Sequence, residues 1–101
     1  TTFNFFIVKN GVVVTHPADG KILPGITRKV ALQLASKGKI KTKEDYFSLD
    51  DLLEAEEAFI TSSTRNIVPV VKVDDIVIGN GRPGETTNKL ARFLEEYQTN
   101  Y

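Results

Sequence analysis

Two short segments, far apart in the chain, have the chemistry to hold a phosphate. One is Ile22-Leu23-Pro24-Gly25-Ile26-Thr27-Arg28, a glycine-containing turn that runs into a helical pattern. A helix start offers unpaired N–H groups and the positive end of the peptide dipole. Here Thr27 falls in the first turn, so its N–H and hydroxyl, with the N–H of Ile26, could reach an anion. The other segment is Thr61-Ser62-Ser63-Thr64-Arg65, a hydroxyl-rich turn between two apolar runs. Its hydroxyls and turn amides are donors, and four such residues are costly to bury without partners. Arg65 could add a charged fork for a phosphate or carboxylate, and Asn66 could brace the turn. Each segment also has an ordinary structural reading, as a loop-to-helix junction and as an exposed turn. Only their convergence would make one site.

Other chemistry is thin. His16 is the only histidine and the chain has no cysteine. No triad, thiolate or zinc-thiolate site can therefore be assembled, and His16 reads as a loop residue. Asp50, Asp51, Glu54, Glu56 and Glu57 read as a solvated face. Gly79-Asn80-Gly81-Arg82 lacks the remaining glycine spacing of a phosphate loop and reads as turn chemistry. No lysine lies in an apolar setting that would depress its pKa. No catalytic residue and no metal ligand set is expected.

The elements that must position these segments are legible from periodicity. Phe5–Val8 and Val12–Thr15 flank Asn10-Gly11, a strong hairpin signal. His16 to Pro24 is a loop. From Gly25 the apolar period becomes helical, with Ile26, Val30 and Leu34 on one face beside Ala31 and Ala35, and Gly38 as the stop. Ile40 to Phe47 reads as a weak strand. Ser48 caps a short second helix with Leu52, Leu53 and Ala55 inward. Ala58–Ile60 is a buried strand, and Ile67–Val73 is another, with Pro69 marking an edge or bulge. Asp74-Asp75 turns into Ile76–Ile78 as a second hairpin. A last helix runs from about Glu85 to Tyr97, with Leu90, Phe93, Leu94, Tyr97 and Tyr101 as its buried stripe. The expected class is mixed α/β (α+β), two β-hairpins plus further strands packed with about three helices.

Composition bounds the function. A chain of 101 residues with 41% apolar content makes one small domain with a real core. Thirteen basic residues balance thirteen acidic ones, so neither a nucleic-acid nor a membrane-surface role is favoured. The lack of cysteine fits a reducing cytoplasm. The chain enters an apolar run at once and has no methionine, even at position 1. That pattern is expected of a piece of a longer protein.

The order of the motifs goes further. Asn4-Phe5-Phe6, Asn10-Gly11, Thr15-His16-Pro17, Leu23-Pro24-Gly25-Ile26-Thr27-Arg28, Phe59-Ile60-Thr61-Ser62-Ser63-Thr64, Val68-Pro69-Val70 and Gly81-Arg82-Pro83-Gly84 occur in one register. This resembles the C-terminal portion of the class IV (fold type IV) pyridoxal-phosphate aminotransferases, over essentially the whole chain. That family includes D-amino-acid and branched-chain aminotransferases and aminodeoxychorismate lyase. The resemblance implies that residues 1–101 are the C-terminal segment of the cofactor-binding domain. It implies that Gly25, Ile26, Thr27, Ser62 and Ser63 hold the phosphate of pyridoxal 5'-phosphate. Leu23 would pack on the pyridine ring, Thr64 would line the substrate side, and Thr2 and Asn4 would lie in a strand near the cofactor. Arg28 would be structural, and Phe3 departs from the small residue often found there. The family's Schiff-base lysine and the glutamate that pairs with the pyridine nitrogen would lie upstream of Thr1. The implied activity is transfer of an amino group between an amino acid and a 2-oxo acid, by a cytoplasmic homodimer. The alternatives are lyase elimination of pyruvate or a non-enzymatic anion-binding module. The hydroxyl-rich Ser62-Ser63-Thr64 turn leans toward the D-amino-acid type.

Overall fold

The computed structural model describes residues 3–17, 25–62 and 66–99. Asn10 and Gly11 both have positive φ (53° and 76°). They fold β1 (Phe3–Lys9) onto β2 (Val12–Thr15) as an antiparallel hairpin. Strand β4 (Glu57–Ser62) pairs with the other side of β1, and β5 (Ile67–Pro69) pairs with β4. The short β3 (Thr42–Glu44) runs parallel to β2. The result is a five-stranded sheet in the order β3-β2-β1-β4-β5. The expected strand over Ile40–Phe47 shrinks to these three residues, all exposed, which pair at the sheet edge with Val13–Thr15 of β2.

Strand alternation divides the core in two. Phe6, Val8, Val13, Phe59 and Ile67 face a layer made by α1 (Ile26–Lys37) and α3 (Glu85–Thr99), which contribute Ala31, Ala35, Leu90 and Leu94. The Phe6 and Phe59 rings stack there with centroids 4.7 Å apart. On the opposite face Ile7 and Ala58 pack with Leu52 and Ala55 at α2 (Leu49–Glu54) and with the hairpin of β6 (Lys72–Val73) and β7 (Ile76–Val77).

Several expectations are corrected at element boundaries. Ile67–Val73 is not one strand. It divides after Pro69, whose missing N–H suits the sheet edge where β5 lies. Leu53 is exposed, since a helix of six residues turns only Leu52 fully inward. Tyr97 lies at the rim of the α3 stripe with 38% of its surface exposed, and Tyr101 lies outside the described residues. Ile26 does not join the inward face of α1 (it is 73% exposed); Thr27, Arg28, Ala31 and Ala35 are buried instead. Gly38 ends α1 as expected but not through a left-handed φ. Lys39 takes that conformation (φ 62°). Gly38 is glycine because a Cβ there would collide with the Phe93 ring of α3.

The acidic run is not simply a solvated face. Asp51 closes a capping box with Ser48. Glu54 reaches Lys9 at 2.9 Å, and Glu56 accepts from the turn amide of Asn10. Glu57 accepts from the Thr86 and Thr87 amides at the start of α3 (3.1 and 2.7 Å). No helix among the described residues is long and apolar enough to cross a membrane.

Candidate functional site

Each helix begins differently. Helix α2 has the Ser48–Asp51 box and two acids in its first turn, and α3 has Glu85 in its first turn and Glu57 on its amides. Helix α1 starts at Gly25 with no side-chain cap and no acid in its first turn; Arg28 and Lys29 stand there instead. Negative charge normally satisfies a helix N-terminus, and basic residues there are unfavourable unless something compensates. Among the described residues, the start of α1 is thus the one helix start without an acid on its amides.

The sheet brings the second segment to this place. The Cβ position of Gly25 lies 2.7 Å from Asn4 Oδ1, so the α1 start rests against the Asn4 side chain. Asn4 is buried near the start of β1 and pairs across the ladder with Thr61, while Phe3 pairs with Ser62. Gly25, Asn4 and Thr61 therefore meet at one end of the sheet, near the first turn of α1, while Ser62, opposite Phe3, turns its side chain to the other face of the sheet. Thr27 is buried (3% exposed), whereas the Ile26 side chain points to solvent. Any contribution of Ile26 to an anion comes from its N–H. Thr61 is 1% exposed, and its Oγ1 has no hydrogen-bond partner among the described residues. An unspent buried donor beside an uncapped helix start fits a phosphate in chemistry. Leu23, Ser63, Thr64, Arg65 and Thr2 lie outside the described residues. Asn66 accepts from the Ser62 amide at 3.1 Å through its backbone oxygen.

Arg28 is structural, as the resemblance implied, but its partners were not visible in the sequence. Its guanidinium donates to the His16 carbonyl at 2.9 Å and to Glu44 on β3. The missing signal is the parallel register of β2 and β3, which sets Thr15 beside Glu44. His16 is indeed a loop residue; its Nε2 accepts weakly from the Phe47 amide (3.4 Å), and its ring meets Phe47 edge-on. Gly79–Arg82 is turn chemistry: the Asn80 side chain accepts from the Arg82 amide. Among the described residues no group of acids or histidine could hold a metal ion.

The family profile of amino-transferase class IV matches residues 1–73. A D-alanine aminotransferase of Listeria monocytogenes (strain F2365) is 45% identical over 93 residues, covering 92% of this chain and 32% of that protein. A putative branched-chain-amino-acid aminotransferase of Methanocaldococcus jannaschii is 44% identical over 98 residues, 97% of this chain and 34% of that protein. Among solved structures, a branched-chain aminotransferase from the thermophilic archaeon Thermoproteus uzoniensis, with norvaline, superposes with TM-score 0.87 at 32% identity. The match covers 94% of this chain and 31% of that one. The chain spans about a third of the length of the curated relatives it matches.

Proposed function

The chain belongs to the amino-transferase class IV family, and we propose that it is the C-terminal segment of the cofactor-binding domain of a pyridoxal-phosphate transaminase. The reaction would move an amino group between an amino acid and a 2-oxo acid. The observation that carries this is the uncapped, acid-free start of α1 packed over the Asn4–Thr61 pair, where β4 enters the hydroxyl turn. Pyridoxal phosphate, when bound, supplies the electron sink for the chemistry at the amino acid's α-carbon. The residues of this chain bind and orient it. The amides of Ile26 and Thr27, the Thr27 hydroxyl, and Ser62 and Ser63 would take the phosphate. Gly25 lets the helix start approach the sheet, Leu23 would cover the ring, and Thr64 would line the substrate side. The 44–45% identity to both a D-alanine enzyme and a putative branched-chain enzyme supports an amino-acid substrate of one of these kinds. The Ser62-Ser63-Thr64 turn favours the D-amino-acid type. A cytoplasmic homodimer is the assembly this reading implies.

In the full-length protein, Thr27→Ala combined with Ser63→Ala should weaken pyridoxal-phosphate binding by a few kcal/mol, since hydrogen bonds to charged groups contribute about 1.5–3 each. Unchanged affinity, measured by equilibrium dialysis, would reject the assignment. The 101-residue chain alone should be inactive. Transamination by it, or borohydride trapping of the cofactor on one of its lysines, would show that it carries its own catalytic lysine.

A further inference from the structure

Strand β4 ends in two hydroxyl residues, and the sheet sends their side chains to different faces. Side chains alternate across the plane of a strand. Phe59 belongs to the core layer shared with α1 and α3, so Thr61, two residues on, stands on that same face. Ser62 falls on the other. The ladder agrees, since Thr61 pairs with Asn4 and Ser62 with Phe3. Asn4 is the residue whose Oδ1 meets the start of α1, 2.7 Å from the Cβ position of Gly25. Directly paired residues on antiparallel strands hold their Cβ atoms about 4.5–5.5 Å apart. Thr61 is therefore one side chain away from that helix start, and it is the β4 hydroxyl that faces α1.

Only 1% of Thr61 is exposed, and its Oγ1 has no hydrogen-bond partner among the described residues. Thr15, equally buried on β2, donates to the Phe5 carbonyl at 2.9 Å. A buried hydroxyl left unpaired costs stability, and valine would fill the same space without that cost. Glu57 shows what the same face of β4 does at its other end. Its carboxylate accepts from the Thr86 and Thr87 amides and so completes the start of α3. Near the start of α1 the strand places a hydroxyl instead of an acid, and that hydroxyl accepts from no helix amide. Donors on the strand and donors on the helix then share one kind of complement, an acceptor that carries negative charge. Resting on the cofactor-phosphate reading above, we propose that the Thr61 hydroxyl is a further donor to the cofactor phosphate, which supplies the partner that this chain does not. It joins the Ile26 and Thr27 amides from the sheet side.

The test compares two probes on the full-length protein: pyridoxal 5'-phosphate, and pyridoxal, which lacks the phosphate. Dissociation constants are measured for wild type, Thr61→Val, Thr61→Ser and Thr87→Val, with thermal melts in the absence of either probe. Thr87 is the comparison, a second buried threonine whose Oγ1 is unpartnered, but in α3. Both valine variants should melt above wild type. Only Thr61→Val should lose pyridoxal-phosphate affinity, by roughly ten- to a hundredfold, with pyridoxal affinity unchanged. Thr61→Ser keeps the hydroxyl and should keep the preference for the phosphorylated probe. Equal loss for both probes in Thr61→Val, or no loss, would overturn the proposal. So would a Thr61→Val melt below wild type, which would mean that the hydroxyl has a partner within the protein, or a serine variant as impaired as the valine one. If wild type itself shows no preference for pyridoxal phosphate over pyridoxal, the phosphate reading falls and the proposal falls with it; a preference in wild type that survives in Thr61→Val sinks the proposal alone.

Discussion

Gly25 shows how one missing methyl group can join two distant segments. Its φ of −69° suits any residue, so no backbone requirement selects glycine. The requirement is space: a Cβ would stand 2.7 Å from Asn4 Oδ1, and Asn4 is buried. Gly25→Ala must push α1 away from β1 or turn the Asn4 amide. Overpacking of this kind costs about 1–3 kcal/mol, and it displaces the helix start from the strand end that carries Ser62. The expected outcome is a lower melting temperature together with weaker pyridoxal-phosphate binding, read by thermal melts with and without the cofactor. A melt and an affinity both equal to wild type would refute the tight approach. Thr87 gives a prediction of opposite sign. It is buried in the first turn of α3, with Oγ1 unpartnered among the described residues. Thr87→Val keeps the shape and removes an unsatisfied hydroxyl, so it should raise stability by about 1 kcal/mol, as denaturant titration would show. At this scale the candidate donors were legible in the sequence, and the partners of the buried residues were not. Thr27 and Ser62 announce themselves as donors. That Arg28 would meet Glu44 depends on a strand register that no local pattern encodes.

At the scale of elements, local chemistry was read well where it is self-contained. The Asn10-Gly11 turn and the Ser48 box close within a few residues, and both formed as expected. Helix α1 was placed correctly but rotated. Its apolar spacing suggested Ile26 inward, whereas Thr27 and Arg28 are the buried residues of its first turn. Arg28 turns inward toward the His16 carbonyl and Glu44 of the edge strand, partners that hydrophobic periodicity cannot foresee. Caps give this scale its predictions. The Ser48 amide and Lys9 hold the Asp51 carboxyl below its ordinary value of 3.8, the Ser48 contact contributing most. A carboxyl lowered on folding adds stability above its unfolded value and loses it as pH falls through the folded one. Asp51→Asn should therefore flatten part of the loss of stability below about pH 4, in melts recorded across acidic pH. An unchanged acid limb would assign that loss to other groups. Glu57→Ala removes the acceptor for two α3 amides and should destabilise the fold by about 1–3 kcal/mol. Helix loss by circular dichroism should accompany it.

The whole molecule has the dimensions of a finished domain and the surface of an unfinished one. Its radius of gyration is 12.7 Å, near the value of about 13 Å expected for a folded chain of 100 residues. Yet on the α2 side of the sheet a cavity of about 440 Å³ opens among Phe3, Phe5, Phe47, Leu49 and Leu52. Phe3 is 55% exposed there, and Leu49 is exposed as well. The sheet edges differ in how they resist association. At β3, Lys41 and Lys43 present charges to any incoming strand, while β5 ends at Pro69 with Val68 exposed. Lysine and proline both discourage edge pairing, so contact should come through the apolar cavity before the edges. The 101-residue chain by itself should bind a hydrophobic dye and elute from gel filtration in a concentration-dependent way. Phe3→Ser with Leu49→Ser should reduce both effects and leave the melting temperature nearly unchanged, because neither side chain contributes to the packed core. A monomer that ignores the dye would mean that this face is closed in solution. A large drop in melting temperature would mean that Phe3 and Leu49 do structural work within the chain and do not await a cover.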